Sequence, residues 1–212
     1  MRNLFKTTRT WSTWWRDRKI DWKKSYLDTW DHPHRMLISG YLRQFHWTSL
    51  FEIGCGAGAN LVNIIKNLQG KQLGGIDINP DAIELAKKSF NGGFFKVGSA
   101  EDLIMSDSSV DVVLTDMTLI YISPRDIGRV IDEIKRVARV KVVFCELHSD
   151  RWINRLIFRF KTGYNAHNYK TLLERHGFYD IKTLKIPEEF WPGGEPQKTF
   201  GYLISANVPR RK

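Results

Sequence analysis

The sequence is poor in cysteine and has no long apolar run. Only two cysteines occur among its 212 residues, Cys55 and Cys145, and neither has a partner at the spacing of metal ligands. We therefore expect both to be reduced and structural, and we predict no metal site. No apolar run approaches the roughly 18 residues of a transmembrane helix, and the basic N-terminus lacks the continuous apolar core of a secretory signal. These absences favour a cytoplasmic protein that is soluble or peripheral to a membrane.

Acidic residues are scarce relative to basic ones. Asp and Glu number 23 against 33 Lys and Arg, which gives a formal net charge of +10. The excess lies in two flanks: residues 1–46 carry ten Lys or Arg against four Asp, and residues 151–175 carry six against one Glu. Such a charge favours an anionic partner, namely nucleic acid, a membrane surface or an acidic substrate.

Short β-rich runs alternate with helical patterns from Thr48 onward. The runs TSLFEIG, QLGGIDI, FFKVG, VDVVLTDM and VKVVFCEL predict five strands, and two later β-like runs joined by PGGEPQK predict an antiparallel pair. This alternation indicates an α/β fold, a Rossmann-like doubly wound sheet of about seven strands with an antiparallel last strand. We assign residues 48–208 to this domain, with a basic lid insertion at 150–165, and residues 1–47 to a helical, Trp-rich basic cap.

Two of the intervening helices have starts that can be located in the sequence. Asn79 is placed to cap a helix with Pro80 in its first turn, where Asp81 favours the helix dipole. In the same way, Ser123 and Pro124 predict that the helix before the fifth strand begins at residue 124.

The stretch SLFEIGCGAGAN places three glycines between a predicted strand and a predicted helix. Gly54, Gly56 and Gly58 let the backbone approach a ligand closely and bring the helix N-terminus against it. Asp77 ends the second strand, 19 residues after Gly58, where a carboxylate accepts hydrogen bonds from ribose hydroxyls. Glu52 precedes the first glycine by two residues, where it would repel a pyrophosphate and favour a cationic amino acid group. A nucleoside ligand other than NAD is therefore predicted.

The ordered series of motifs narrows this prediction. EIGCGAG, GIDINPDAIELAKK, GSAEDL, VDVVLTDMTLIYISP and DEIKRVARVKVVFCEL together resemble the class I S-adenosylmethionine-dependent methyltransferases, particularly the branch that methylates small molecules and quinones. The resemblance extends over about residues 48–205. It implies an enzyme that uses S-adenosyl-L-methionine as its cofactor.

The resemblance also implies roles for individual residues. Glu52 and the glycines would hold the methionine part of the cofactor, Asp77 its ribose, and Ile78 its adenine. Ser99 stands where the family often has an acid that reaches the adenine amino group, so adenine recognition would pass to Ala100 and to Glu101 or Asp102. The expected cofactor-binding residues are Glu52, Gly54, Gly56, Gly58, Asp77, Ile78, Ala100, Glu101 and Thr115.

Four further residues are candidates for contacts with the acceptor. Asp116 follows Thr115 at the end of the fourth strand, beside the expected methyl position, and Arg35 could reach an anionic group or form a helix-end salt bridge. Tyr121 and His148 are candidate bases, against the alternatives of a packed rim aromatic and an exposed loop histidine. The other histidines considered, His32, His34 and His167, are predicted to be surface or capping residues rather than metal ligands.

The acceptor is not defined by these motifs. A small organic acceptor, anionic or lipid-linked, fits the resembled branch. A tRNA or rRNA methyltransferase is the alternative that the basic charge raises, and a non-catalytic cofactor-binding protein is a third. The tryptophans of residues 11–30 and the segment RWINRLIFRFK both mix aromatic and basic residues, so they could pack, stack on bases or make a weak contact with an anionic membrane. A monomer or a homodimer is expected.

Overall fold

A single mixed sheet organises the chain. The computed structural model describes residues 10–191 and 197–209. Its strands are β1 (Ser49–Ile53), β2 (Gln72–Asp77), β3 (Phe94–Val97), β4 (Val110–Asp116), β5 (Ala138–Leu147), β6 (Tyr179–Lys185) and β7 (Gly201–Asn207). The order is β3-β2-β1-β4-β5-β7-β6; β7 runs antiparallel to both of its neighbours, and the other pairs are parallel. The predicted α/β sheet with an antiparallel last strand is confirmed.

Helices connect these strands and precede the first one. They are α1 (Trp11–Arg16), α2 (Trp22–Ser25), α3 (Pro33–Leu42), α4 (Ala59–Asn67), α5 (Pro80–Ser89), α6 (Ile127–Val137), α7 (Trp152–Thr162), α8 (Tyr169–Arg175) and α9 (Gln197–Phe200), with 3₁₀ turns at Leu27–Thr29, Leu119–Tyr121 and Glu188–Phe190. No helix in this described part of the chain combines the length and the apolar character needed to cross a bilayer.

One predicted helix start is right and the other is wrong. Asn79 caps α5 by accepting hydrogen bonds from the backbone N–H groups of Asp81 and Ala82. The helix after β4 begins at Ile127 instead of at residue 124. The Ser123 hydroxyl donates to the Asp126 carboxylate and accepts from the Arg125 N–H, which holds residues 123–126 in a turn before the helix.

The core lies on both faces of the sheet because neighbouring strand residues point to opposite sides. Phe51 and Val113 pack on one face with apolar residues of α6 and α8. Leu50, Val112 and Leu114 pack on the other face with residues of α3, α4 and α5. All five residues of β1 are buried, so this strand is a rigid support for the glycine turn that follows it.

The helices before β1 cover the edge of the sheet at which the parallel strands end. Trp22 is buried against Ala57 and Ala82, directly behind the glycine turn. The Asn79 amide donates to the carbonyls of Trp15 and Arg18, which ties the N-terminal helices to the end of β2. The segment predicted as a cap therefore packs on the same edge as the candidate site.

The segment predicted as a basic lid forms α7. Its one buried residue is Phe158, which packs in a cluster with Ile120, Leu147 and Ala166. Residues 192–196 of the linker between β6 and β7 lie outside the described residues. The strands on either side of that linker pair antiparallel, as predicted.

Candidate active site

A cavity of about 720 Å³ opens at the carboxyl ends of β1, β2 and β4. Ligands of open α/β sheets bind at this edge, and the volume lies in the range of small-molecule sites. One part of its wall comes from the strand ends and the glycine turn. The opposite part comes from α1, α2, the start of α3 and the residues that follow α7.

The glycine turn has a backbone that only glycine adopts easily. Gly54, Gly56 and Gly58 have φ values of 72°, 52° and 90°. A Cβ atom on Gly54 would lie 2.1 Å from Thr118 Oγ1, so this position has no room for a side chain. Asp77 Oδ2 accepts a hydrogen bond from the Gly56 N–H at 2.9 Å, which fixes the turn to the end of β2.

Two carboxylates meet inside the cavity and share one amide. Asn60 Nδ2 donates to Glu52 Oε1 at 2.6 Å and to Asp116 Oδ2 at 2.9 Å. Arg35 Nη1 donates to Asp116 Oδ2 at 3.1 Å and to Asn60 Oδ1 at 2.7 Å. His34 Nε2 lies 2.9 Å from the same Asp116 oxygen. The end of β4 is thus joined to the starts of α3 and α4.

The two carboxyl groups differ in ionisation because their partners differ. Burial raises the pKa of Glu52 to about 8; the Asn60 hydrogen bond opposes this and the charge of Asp116 adds to it. Burial also acts to raise the pKa of Asp116, but His34, Arg35 and Asn60 outweigh it and hold that pKa well below its usual range. Without a ligand, Glu52 is mostly protonated at neutral pH and Asp116 is ionised.

Among the residues that the structure describes, each of these carboxyl groups keeps one buried oxygen without a hydrogen-bond partner, Glu52 Oε2 and Asp116 Oδ1. Both residues line the cavity. An unpaired buried oxygen costs free energy until a donor reaches it. An ammonium group offers three N–H donors and a positive charge, so the pair fits the α-amino group of an amino acid.

Asp77 and its neighbours form the nucleoside side of the cavity. Asp77 Oδ1 accepts from the Asn79 N–H at 2.8 Å, and burial raises the pKa of this carboxyl against the hydrogen bonds from Asn79 and Gly56. Each carboxylate oxygen retains a lone pair for a ribose hydroxyl. Ile78, Ala100 and Glu101 line the same part of the cavity, where an adenine would lie.

Most of the residues predicted from sequence lie around this cavity. Those that line it are Arg35, Glu52, Gly54, Gly56, Asp77, Ile78, Ala100, Glu101, Asp116 and Tyr121. Gly58 lies just behind it as the N-cap of α4, where a Cβ would lie 2.6 Å from the Phe90 ring. Thr115 is fully buried in β4 and is not part of the wall.

The two candidate bases have surroundings that do not suit this role. His148 is buried away from the cavity: its Nδ1 accepts from the Tyr169 N–H, and its ring packs on Tyr169 and Tyr202. Burial lowers the pKa of His148. Tyr121 does line the cavity, but burial raises the pKa of its hydroxyl far above neutrality, so it stays protonated. We assign neither of them as a general base.

Sequence reasoning missed two polar residues of the site. Asn60 lies in the first turn of α4, two residues after Gly58; an amide side chain so close to the glycine turn is a signal that could have identified it. His34 was expected at the surface or as a cap, but it is buried against Asp116, with its ring 4.2 Å from that of Trp191. No local pattern predicts a contact between residues 82 positions apart.

Aromatic rings form the wall opposite the glycine turn. The Trp11 ring lies 5.2 Å from that of Tyr121 and 5.4 Å from that of Tyr164, and Trp11 Nε1 donates to the Gly163 carbonyl at 3.2 Å. Trp15 packs against Tyr121 at 5.4 Å. This aromatic wall (Trp11, Trp15, Tyr121 and Tyr164) joins α1 to the end of α7, so the two basic flanks meet at the cavity.

Comparisons with known proteins agree with this fold. Residues 50–141 match a family model described as a methyltransferase domain. No curated protein matches the chain significantly. Among solved structures, a methyltransferase in complex with the Trm112 methyltransferase activator of Haloferax volcanii is 16% identical, with a TM-score of 0.72 over 93% of this chain and 99% of that one.

Two further structures contain the cofactor or its product. Magnesium protoporphyrin IX methyltransferase from Synechocystis PCC 6803, with bound S-adenosylmethionine, is 13% identical, with a TM-score of 0.61 over 94% of this chain and 89% of that one. Geranyl diphosphate C-methyltransferase from Streptomyces coelicolor A3(2), with S-adenosyl-L-homocysteine, is 14% identical, with a TM-score of 0.64 over 83% and 80%. The chain thus contains a methyltransferase domain at residues 50–141, and its sheet has a fold similar to that of solved S-adenosylmethionine-dependent methyltransferases.

Proposed function

We propose that the enzyme methylates a small organic acceptor with an anionic end and an apolar body. The observation that carries this proposal is the continuity of the cavity: the carboxylates at the strand ends, the aromatic wall and Arg159 of α7 all line one space. Within the described residues, the Arg159 guanidinium has no carboxylate within ion-pair distance. The cavity therefore offers apolar surface and a free positive charge beside the cofactor residues.

S-adenosylmethionine would be the cofactor, and it supplies an electrophilic methyl group on a sulfonium centre when bound. Asp77 would hold its ribose and the glycine turn its methionine part, and Glu52 Oε2 and Asp116 Oδ1 would accept hydrogen bonds from its ammonium group. Arg35 and His34 act as positioning residues because their hydrogen bonds fix the Asp116 carboxylate. The aromatic wall excludes water and orients the acceptor. Catalysis would then rest mainly on proximity and alignment for in-line transfer.

The RNA alternative gains little support from the cap. Residues that read bases by stacking expose their ring faces to solvent. The tryptophans Trp14, Trp15 and Trp22 of the cap instead pack on one another, Trp15 also packs on Tyr121 of the wall, and Trp22 is buried. The geranyl diphosphate named with one structural neighbour combines an apolar chain with an anionic group, which is the chemistry proposed for this acceptor.

Transfer of a labelled methyl group tests this proposal. The parent enzyme and Glu52→Gln would be incubated with labelled S-adenosylmethionine and three acceptor pools: amphiphilic organic acids and phosphates, neutral small molecules, and total RNA. We expect label in the first pool with the parent and a loss of at least tenfold with the variant. Label mainly in RNA would establish the alternative, and cofactor binding without label in any pool would indicate a non-catalytic protein.

A further inference from the structure

Helix α7 exposes an unusual amount of apolar surface. Its large exposed side chains and their exposed fractions are Trp152 67%, Ile153 36%, Leu156 44%, Ile157 46% and Phe160 84%. Single exposed apolar residues are common, but monomeric soluble proteins rarely expose contiguous apolar patches. A cluster of this kind on one helix indicates a surface that is covered when the protein functions.

The side chains of α7 are arranged as in helices that lie in a membrane interface. At about 100° per residue, the five exposed apolar positions fall within an arc of about 140°. Arg155 and Arg159 flank this apolar arc on one side and Lys161 on the other. Phe158 points away from the arc, where it anchors the helix to the domain. An apolar face flanked by basic residues is the pattern of a helix that binds anionic lipid.

A basic groove of about 490 Å³ runs beside the apolar arc, between α7 and α8. Arg155, Arg159 and Arg175 line it, and no Asp or Glu of the described chain does. Arg155 Nη1 donates to the carbonyls of Ser149 and Asp150, which leaves the rest of the guanidinium available. The groove thus places positive charge next to the apolar surface, and such charge attracts anionic lipid headgroups.

The groove and the cofactor cavity share part of their walls. Arg159 and Asn165 line both of them. Trp11 of the aromatic wall contacts the chain immediately after α7, because its Nε1 donates a hydrogen bond to the Gly163 carbonyl. A membrane in contact with α7 would therefore lie beside the cofactor cavity.

We propose that α7 docks the enzyme on an anionic lipid membrane. The apolar arc inserts among the headgroups while Arg155, Arg159 and Lys161 contact lipid phosphates. Charge complementarity selects this occupant, because both flanks of the arc and the adjacent groove are basic. If the proposed function holds, the acceptor is an amphiphile that enters the cavity from the bilayer. The docking itself does not depend on the methyl acceptor.

Vesicle co-sedimentation of the full chain tests the docking. We expect binding to phosphatidylcholine vesicles that contain phosphatidylglycerol to exceed binding to phosphatidylcholine alone by at least tenfold, and to weaken as salt is added. The double variant Trp152→Ala/Phe160→Ala should lose at least tenfold of this binding. Leu184→Ala, which removes an exposed apolar side chain from β6, is the matched control and should bind like the parent.

Other outcomes would overturn the inference. Equal binding to both vesicle types, or no loss in the double variant, would remove α7 as an anionic lipid site. A dimer in light scattering that Trp152→Ala/Phe160→Ala dissociates would show that a second copy covers the helix instead. Calorimetry with S-adenosylhomocysteine and methyl transfer to a soluble acceptor are measured in parallel. A parent protein that binds vesicles but transfers no methyl group would contradict the proposed function alone. A parent protein that transfers the methyl group but does not bind vesicles would contradict the docking alone.

Discussion

Glu52 and Asp116 share the Asn60 amide and yet hold different charges. Asp116 faces Arg35 and His34, which stabilise its ionised form, whereas Glu52 has the Asn60 amide as its one hydrogen-bond donor among residues 10–191 and 197–209. In the proposed function, a cationic group of the cofactor would supply the missing donor to Glu52. Binding of the cofactor should therefore be coupled to loss of the Glu52 proton.

This coupling predicts a pH-dependent affinity. Glu52 has its pKa raised to about 8, so below that pH the ligand must displace a proton, and affinity for S-adenosylhomocysteine should fall by up to about tenfold per pH unit. Glu52→Gln should bind more weakly at pH 8 and show a flatter pH profile. Calorimetry of both proteins across this range measures the effect, and parallel profiles would contradict it.

Asp77 is expected to contribute the charge-assisted hydrogen bonds to the ribose. Asp77→Ala should weaken S-adenosylhomocysteine binding by about 2 to 3 kcal/mol, since it removes these bonds and also the acceptor that holds the Gly56 N–H. Asp81→Ala is the matched control, because this nearby acid pairs with Lys19 at the surface. Calorimetry, with circular dichroism to verify folding, gives the answer; equal affinities for the two variants would refute the assignment.

The residues that sequence reasoning placed at the cavity share one property. Glu52, Asp77 and Asp116 stand at or beside the ends of parallel strands, and the alternation of strands and helices brings such ends to one edge. His148 also follows a strand, but its ring turns into the packing between β5 and residues 167–169. The contact of His34 with Asp116 depends on how α3 packs on the sheet, which no local pattern specifies.

At the scale of elements, α1 is too short to be stable alone and buries no residue completely. It is held by tertiary contacts, among which Trp11 reaches Gly163 and Tyr164 after α7. No local signal in the sequence predicts this contact between α1 and residues 163–164. The start of α6 also differed from prediction, because side-chain hydrogen bonds of Ser123 favour a turn over the helix that Pro124 would permit.

The contact of Trp11 with Gly163 and Tyr164 predicts that alanine substitutions at two tryptophans of α1 have different effects. Trp11→Ala should lower methyl transfer by at least tenfold and speed amide exchange in α1, while S-adenosylhomocysteine binding changes by less than about threefold. Trp14→Ala is the matched control, because Trp14 lies in the same helix but does not line the cavity. Its transfer rate should stay near that of the parent. Equal losses in the two variants would show that α1 serves only to pack the cap.

At the scale of the whole molecule, two buried glutamates, Glu52 of the site and Glu146, make the free energy of unfolding depend on pH. Burial raises the pKa of Glu146 to about 8, as it does for Glu52, although Glu146 accepts hydrogen bonds from the Thr118 and Leu119 N–H groups. At pH values between the ordinary glutamate pKa and about 8, both groups are protonated in the folded protein and ionised in the unfolded chain. Their stabilising effect is therefore complete below their ordinary pKa, and it is lost as pH rises through that window.

The free energy of unfolding of the ligand-free enzyme should fall by about 2 kcal/mol between pH 7 and 8, with each glutamate contributing about half. His32, His148 and His167 add little in this interval, because burial lowers their pKa values and they are largely neutral in both states. Urea unfolding at the two pH values measures the change. The double variant Glu52→Gln/Glu146→Gln should show a clearly smaller decrease, since neither glutamine can release a proton on unfolding. A parent whose stability is constant, or a variant with the same decrease, would place the proton release elsewhere in the molecule.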